Sequence, residues 1–215
     1  MKFKGAIFDL DGTLLDSMPF WENLGSEYMK AKGINPPKNI DEILKPMSLN
    51  QSAQYLKEEY HISGSEDEII DEILGMIEDH YFLKVPLKAG VLPFLERLHK
   101  ENVRMCIATA TDHELAKAAL ERLDVLQYFD FIFTCYDAGV GKNTPEFFLK
   151  VLELLNTPKG ETVVFEDALH AIKSAKAAGL SVVAVYDKSS REKLEEIKAI
   201  ADIYLDSFED WEMIL

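Results

Sequence analysis

Two aspartates separated by one residue follow a short apolar stretch near the N-terminus, Asp9 and Asp11 in the segment AIFDLDGTLLD. An extended chain places residues two apart on the same side, so both carboxylates face one point while Leu10 faces away. Carboxylates this close repel each other unless a cation lies between them or one holds a proton. The spacing therefore fits a division of labour, with Asp9 as a nucleophile and Asp11 as the group that gives and takes a proton.

The residues after this pair favour an anion-binding turn. Gly12 permits a sharp turn whose backbone N–H groups face an oxyanion, and Thr13 can support that turn by hydrogen bonding. An Asp-Gly turn with solvated carboxylates is the alternative interpretation of the same residues.

The elements that must position these side chains alternate between strand-like and helix-like patterns, which predicts a parallel sheet with helices on both faces. Ligands bind at the carboxyl ends of the strands in such sheets, which is where Asp9 and Asp11 lie. The expected fold is α/β, with a Rossmann-like, doubly wound parallel sheet. Strands are predicted at residues 4–9, 103–110, 131–135, 162–167 and 181–187, and a short sixth strand at 202–205.

The pattern changes between the first two predicted strands, where residues 17–87 are polar, rich in Glu and helical in period. This segment is predicted to be an inserted helical cap domain, and residues 1–16 and 88–215 are predicted to form the α/β core. The two linkers, around Pro19 and Pro86, would lie close together if both flank the same edge of the sheet. Such a hinge would allow the insertion to open and close over the strand ends.

Charge and hydropathy narrow the function. A net charge of −15 over 215 residues argues against nucleic acid and membrane surfaces as partners. The apolar N-terminal stretch is too short for a secretory signal, and no segment approaches the roughly 20 apolar residues of a spanning helix, which indicates a cytoplasmic protein.

If the ligand is a small phosphorylated metabolite, the site must concentrate positive charge through a metal ion, a lysine and backbone N–H groups. Nothing in the sequence indicates the oligomeric state.

The segment DLDGT resembles the first motif of the haloacid dehalogenase-like phosphatases and phosphomutases, and three further motifs of that superfamily follow in order. Thr109 in IATAT matches the second motif. Lys142 in GKNTPEFF matches the third, although Asn143 stands where Pro is usual. The acidic pair of Glu166 and Asp167 in VVFED matches the fourth.

The same resemblance has one departure after the acidic pair. Relatives often carry Ser and Gly where this chain has Ala168 and Ala171. Because nothing in the core reaction requires the lost Ser hydroxyl, the departure concerns the subfamily and not the mechanism.

The resemblance implies a Mg²⁺-dependent phosphoryl-transfer enzyme in which Asp9 accepts the phosphoryl group and Asp11 shuttles the proton. Thr109 would bind a phosphoryl oxygen, and Lys142 would pair with Asp9 and the transferring phosphoryl group. Mg²⁺ prefers near-octahedral oxygen ligands. The residues implied to hold it are Asp9, the backbone carbonyl of Asp11, Asp167 and, at a greater distance, Glu166.

Several residues are further candidates for binding phosphate or substrate. The cap segment LKPMSLNQS resembles the segment that contributes specificity in relatives with a helical cap, although a helix-capping Ser and an exposed Lys are the alternative interpretation. His113 and His170 each follow a motif closely and either could face the site or lie at the surface. The full set of candidates is Gly12, Thr109, Ala110, Lys142, Lys45, Ser48, Trp21 and His113.

The chain most resembles the helical-cap branch that includes β-phosphoglucomutase, phosphoglycolate phosphatase and sugar phosphatases. The mutases carry a His twelve positions after the nucleophile, where this chain has Trp21, so a phosphatase acting on a sugar phosphate or similar metabolite is expected. A β-phosphoglucomutase-like sugar phosphomutase is one alternative. A non-catalytic, phosphate-ligand-binding or regulatory protein is the alternative from another class. Trp21 itself is expected either to stack on substrate or to be a core aromatic of the cap.

Overall fold

The computed structural model describes residues 3–213 of the chain. Its sheet consists of β1 (Gly5–Phe8), β2 (Arg104–Thr109), β3 (Ile132–Thr134), β4 (Thr162–Glu166), β5 (Ser181–Val185) and β6 (Ile203–Leu205). All neighbours are parallel, and their order is β3-β2-β1-β4-β5-β6. The chain therefore winds outward from the central β1 first in one direction and then in the other. The predicted doubly wound α/β class is confirmed, and so are all six predicted strands.

Among the described residues, all α-helices lie between β1 and β6 along the chain. The first five of the six α-helices between β1 and β2 are α1 (Met18–Trp21), α2 (Leu24–Ala31), α3 (Ile40–Leu44), α4 (Leu49–Tyr60) and α5 (Glu66–Leu83). The others are α6 (Val91–Lys100), α7 (His113–Arg122), α8 (Cys135–Ala138), α9 (Pro145–Leu155), α10 (Leu169–Ala177) and α11 (Leu194–Ile200). Short 3-10 helices occur at Leu126–Tyr128, Lys159–Glu161, Lys188–Lys193 and Phe208–Met213.

The central strand β1 is apolar on both sides, and the sheet separates two hydrophobic cores. Ala6 and Phe8 face the first core, which also contains residues of α6, α7 and the inserted helices. Ile7 faces the second core, which contains residues of α9, α10 and α11. A strand covered on both faces reads as a continuous apolar run, which explains why GAIF is fully buried.

The inserted helices begin at sequence signals that satisfy their free N–H groups. Ser48 starts α4 and Ser65 starts α5, and each forms a capping box with the residue three positions later, Gln51 and Glu68. Along α5 a buried stripe at intervals of four residues packs the helix against its neighbours. The stripe consists of Ile69, Ile73, Ile77 and Tyr81.

The two linkers of the insertion lie side by side. Leu15 and Leu87 form an antiparallel bridge, and the N–H of Asp16 donates to the carbonyl of Pro86 at 3.0 Å. We propose that residues 17–87 form the cap and that residues 1–16 and 88–215 form the core, of which residues 1, 2, 214 and 215 lie outside the described part. Across residues 3–213, no helix is both long enough and apolar enough to cross a membrane.

Gly90, at the start of α6, packs closely against the backbone of Phe208 and Glu209. Its φ is +79°, and a Cβ there would overlap the backbone N of Glu209 and would lie 2.8 Å from the carbonyl oxygen of Phe208. Since backbone atoms cannot move aside as a flexible side chain can, we expect Gly90→Ala to lower the free energy of unfolding by more than about 2 kcal/mol in urea denaturation.

Gly75, in the exposed middle of α5, is the matched control because a Cβ there meets no atom within 4 Å. Gly75→Ala should leave stability unchanged or raise it by about 0.5–1 kcal/mol. Equal stability of the two variants would contradict the close approach at Gly90.

Candidate active site

The carboxyl ends of the central strands open into one cavity of about 680 Å³. Asp9 directly follows β1, Thr109 ends β2, and Glu166 ends β4 with Asp167 next in the chain. All four line this cavity, together with Lys142 from the loop between α8 and α9. The fold therefore brings together the matched residues of all four motifs, which lie up to 158 positions apart, from Asp9 to Asp167.

Lys142 is buried between two carboxylates. Its Nζ donates to Asp9 Oδ1 at 2.6 Å and forms an ion pair with Glu166 Oε2. Burial by itself lowers the pKa of Lys142, but the charges of Asp9 and Glu166 outweigh it and hold the pKa above its usual value. Lys142 is therefore a permanent cation beside the proposed nucleophile.

The acidic cluster still holds more negative charge than Lys142 neutralises. Burial and the charge of Glu166 raise the pKa of Asp9 to about 6, against the lowering effect of Lys142. Burial and the charges of Glu166 and Asp9 likewise raise the pKa of Asp167 well above its usual value. Both shifts show that the cluster favours gaining positive charge, either as protons or as a cation.

The same cluster has the chemistry of a divalent-cation site. Carboxylate oxygens of Asp9, Glu166 and Asp167 lie within 4.8 Å of one another. Asp9 Oδ2 is buried and has no hydrogen-bond partner among the described residues. Three buried carboxylates with an unsatisfied oxygen fit a hard ion such as Mg²⁺.

The turn after β1 packs directly against this cluster. Gly12 has a φ of +82°, and a Cβ at this position would lie 2.8 Å from Asp167 Oδ2. The hydroxyl of Thr13 reaches Asp167 Oδ1 at 3.4 Å. Only glycine at position 12 combines this backbone conformation with so close an approach.

Asp11 has a different environment from the other carboxylates, because three hydroxyl groups donate to it. Ser17 Oγ lies 2.6 Å and Tyr81 Oη 2.5 Å from Asp11 Oδ1, and Thr111 Oγ1 lies 2.5 Å from Oδ2. Burial and the charge of Asp9 raise the pKa of Asp11, while the three hydroxyls oppose that rise. Both oxygens of the proposed proton shuttle are thus fixed in direction.

The sequence did not reveal these three partners. Tyr81 lies 70 residues from Asp11 and falls on the buried stripe of α5, so its periodicity indicates packing alone. Thr111 lies two residues after Thr109 and its N–H donates to the Thr109 hydroxyl at 3.0 Å. The second threonine of IATAT was the one available hint.

Lys88 is another unpredicted residue, at the point where the second linker enters the core. Its Nζ donates to the carbonyl of Gly12 at 2.5 Å, to the carbonyl of Tyr186 at 2.6 Å and to Asp187 Oδ2 at 3.0 Å. Its positive charge acts to lower the pKa of Asp167, although burial and nearby carboxylates dominate. The linker is thereby tied to the turn after β1 and to the residues that follow β5.

The cap candidates occupy three different situations around the cavity. Lys45 lines it but donates across its mouth to the carbonyl of Ser189 at 2.7 Å. Ser48 also lines it, and its side chain caps α4. Trp21 lines it with its Nε1 donating to the Tyr81 hydroxyl at 2.7 Å.

The remaining candidates lie on the core side. Ala110, between the two threonines, lines the cavity, whereas His113 is exposed at the start of α7 and is not among the lining residues. His170 does line the cavity, and burial together with the charges of Lys142 and Lys45 lowers its pKa to about 4. His170 is therefore neutral at pH 7, so it offers the cavity a hydrogen-bonding imidazole and no charge.

Comparison with known proteins agrees with this geometry. The sequence pattern of the haloacid dehalogenase-like hydrolases matches residues 3–179. The chain belongs to this family. As a haloacid dehalogenase-like hydrolase it shares 26% identity over 213 residues with a phosphorylated carbohydrates phosphatase from Thermotoga maritima, covering 92% of this chain and 93% of the relative. It shares 30% identity over 211 residues with hexitol phosphatase A from Escherichia coli, covering 97% and 93%.

Among solved structures, this hydrolase is similar to β-phosphoglucomutase from Clostridium difficile. The TM-score is 0.81 at 22% identity, over 99% of this chain and 95% of the other. At that identity the likeness shows a shared fold. The superfamily predicted from the four motifs is confirmed.

Replacing Lys142 should expose the repulsion within the acidic cluster. With metal removed by EDTA at pH 8, we expect Lys142→Ala to lower the free energy of unfolding by about 3–5 kcal/mol, since two buried carboxylates lose their counter-charge. The loss should be smaller at pH 5. The pKa of Asp9 is about 6 with Lys142 present and would rise further without it. At pH 5 Asp9 is therefore protonated in the folded variant but mostly ionised in the unfolded chain, and this proton uptake stabilises the folded variant.

Lys173→Ala is the matched control, because Lys173 forms an exposed ion pair with Glu196. Its loss should have little effect at either pH. Chemical denaturation at both pH values measures the effect. A penalty for Lys142→Ala that is equal at pH 5 and pH 8 would show that the repulsion is not its cause.

Proposed function

We propose that the chain is a Mg²⁺-dependent phosphatase that hydrolyses a small phosphorylated metabolite, such as a sugar phosphate, through an aspartyl-phosphate intermediate. The observation that carries the proposal is the buried ion pair between Lys142 and Asp9, beside an Asp9 oxygen with no hydrogen-bond partner among residues 3–213. The names of two relatives, a phosphorylated carbohydrates phosphatase and a hexitol phosphatase, support this class of substrate.

In the first step a carboxylate oxygen of Asp9 attacks phosphorus, and the bond from phosphorus to the ester oxygen breaks. Lys142, 2.6 Å from Asp9 Oδ1, offsets the repulsion between the carboxylate and the phosphoryl oxygens. Asp11 gives its proton to the leaving alkoxide. The Thr109 hydroxyl, at the end of β2, would bind a phosphoryl oxygen.

In the second step Asp11, now ionised, takes a proton from water, and the resulting hydroxide attacks phosphorus of the aspartyl phosphate. The bond from phosphorus to the Asp9 oxygen breaks, which releases inorganic phosphate and restores both aspartates. One carboxyl group thus serves as acid and then as base, so the cycle needs no other proton donor.

Asp9, Asp167 and the backbone carbonyl of Asp11 would hold Mg²⁺, with Glu166 nearby. When bound, the ion supplies positive charge that offsets the negative charge of the phosphoryl group. Lys142 remains in place beside it, since its ammonium already satisfies Asp9 Oδ1.

Water is favoured over a sugar hydroxyl as the second acceptor. At the position where the mutases carry a His, this chain has Trp21, whose N–H donates to the Tyr81 hydroxyl. Indole nitrogen is a donor only, so Trp21 cannot take a proton from a sugar hydroxyl. A non-catalytic role is disfavoured because Asp9, Asp11 and Lys142 are all present and in contact with suitable partners.

A panel of sugar and polyol phosphates tests the reaction. Inorganic phosphate and isomerised sugar phosphate should be measured in the same tubes, and we expect phosphate release from at least one ester. Asp9→Asn should reduce that release by more than about 10³-fold, because the nucleophile is lost. The exposed Asp16, in the first linker, provides the control Asp16→Asn, which should keep wild-type activity. Isomer without phosphate would overturn the phosphatase in favour of the mutase.

Metal dependence is tested by binding as well as by turnover. EDTA should abolish phosphate release, and Mg²⁺ should restore it better than Ca²⁺, whose larger and looser coordination misplaces the phosphoryl group. Mg²⁺ should also raise the Tm of the EDTA-treated wild type, and the rise should shrink in Asp167→Asn. Full activity in the chelator, or equal Tm shifts in both proteins, would refute a metal site in this cluster.

A further inference from the structure

The Asp11 carboxylate receives one hydrogen bond from each of three parts of the chain. Ser17 belongs to the first linker, Tyr81 to α5 in the inserted helices, and Thr111 to the segment after β2. Two of these bonds converge on Oδ1 and the third reaches Oδ2. A carboxylate held at both oxygens cannot rotate freely about its side-chain bonds, so these hydroxyls determine where Asp11 points.

Trp21 sets the direction of the bond from Tyr81. Its Nε1 donates to the Tyr81 hydroxyl at 2.7 Å. Because an indole N–H can only donate, the Tyr81 oxygen is the acceptor in that contact, and its single proton is available for Asp11. The two aromatic side chains also pack edge to face, with ring centroids 6.5 Å apart.

Tyr81 is held in place both by the packing of its side chain and by a hydrogen bond to its backbone carbonyl. Its side chain is fully buried on the apolar stripe of α5. Arg122 of α7 donates to the Tyr81 carbonyl at 3.2 Å and to the carbonyl of Val85, which ties the end of α5 to the core. The hydroxyl is therefore presented to Asp11 by a rigid element.

We propose that Tyr81, directed by Trp21, is a positioning residue that aims the Asp11 carboxyl group at the leaving oxygen of the substrate. The proposal rests on the phosphatase reaction proposed above. Proton transfer requires heavy atoms within about 2.6–3.2 Å, and a displacement of about 1 Å can cost on the order of 10²-fold in rate. Loss of the Tyr81 hydroxyl would free one oxygen of Asp11 from one of its two donors.

Leaving-group dependence separates positioning from mere stability. In Tyr81→Phe, kcat/KM for an alkyl phosphate that the wild type hydrolyses should fall about 10–100-fold, because an alkoxide needs the proton in order to leave. For p-nitrophenyl phosphate the fall should be much smaller, since p-nitrophenolate leaves without protonation. Trp21→Phe, which keeps a ring but removes the N–H, should shift the ratio of the two values in the same direction and by less.

Thr111 provides a test by conservative rescue. Thr111→Ser retains a hydroxyl for Asp11 Oδ2 and should keep a ratio near that of the wild type, whereas Thr111→Val has a similar shape and no donor and should shift the ratio as Tyr81→Phe does.

The matched control is Tyr28, a second buried tyrosine of the inserted helices, whose hydroxyl donates to Glu72 at 2.6 Å. Tyr28→Phe also deletes a tyrosine hydroxyl, yet it should keep the wild-type ratio. A wild-type ratio in folded Tyr81→Phe, or an equal shift in Tyr28→Phe, would overturn the inference. If Tyr81→Phe does not fold, an unshifted ratio in Trp21→Phe overturns it instead.

Failure of the underlying function would look different from failure of this inference. A wild-type protein that releases no phosphate from any ester would refute the phosphatase before any variant is compared. A wild type that hydrolyses both esters, with every variant at the same ratio, would leave the phosphatase standing and refute the role of Tyr81.

Discussion

Electrostatic repulsion among clustered carboxylates is the constraint on which the rest of the structure depends. Asp9, Asp11, Glu166 and Asp167 gather at one end of a sheet in a chain of net charge −15. Different partners offset this repulsion at different carboxylates. The Lys142 ammonium pairs with Asp9 and Glu166, and hydroxyl groups donate to Asp11. The negative charge that has no such partner lies around Asp9 and Asp167. A site that binds anionic phosphate in an acidic protein is possible because its own residues favour positive charge at that point.

The position of β1 makes this arrangement geometrically possible. With β2 on one side and β4 on the other, the end of β1 is the one place where three motif-bearing strands meet. The loop carrying Lys142 comes from the β3 side and closes over the same point. The inserted helices lie between β1 and β2 in the chain, so Ser17 and Tyr81, two of the three residues that donate to Asp11, come from the segment between these two strands.

Local patterns predicted the strands and the motif residues, since each is encoded by a few adjacent side chains. Asp9, Thr109, Lys142 and Asp167 could be matched because each follows an apolar strand or lies in a short recognisable stretch. Tyr81 and Lys88 could not be predicted, because their importance comes from hydrogen bonds to residues 70 and 76 positions away. The candidates with weak local signals differ in where they lie. Trp21 and Ser48 line the cavity, whereas His113 is exposed and is not among its lining residues. Helical periodicity reports burial, and burial does not distinguish a packing tyrosine from one that holds a carboxylate.

The central place of β1 also has a consequence for how the chain is made. β1 ends at Phe8, yet its two neighbours in the sheet are Arg104–Thr109 and Thr162–Glu166. During synthesis from the N-terminus, this apolar strand must wait for about half of the chain before its first partner emerges, and for most of the chain before its second. Pairings between such distant segments are slow to form and leave strand edges exposed. Until those partners emerge, the helices that follow β1 are the segments able to shield its apolar faces.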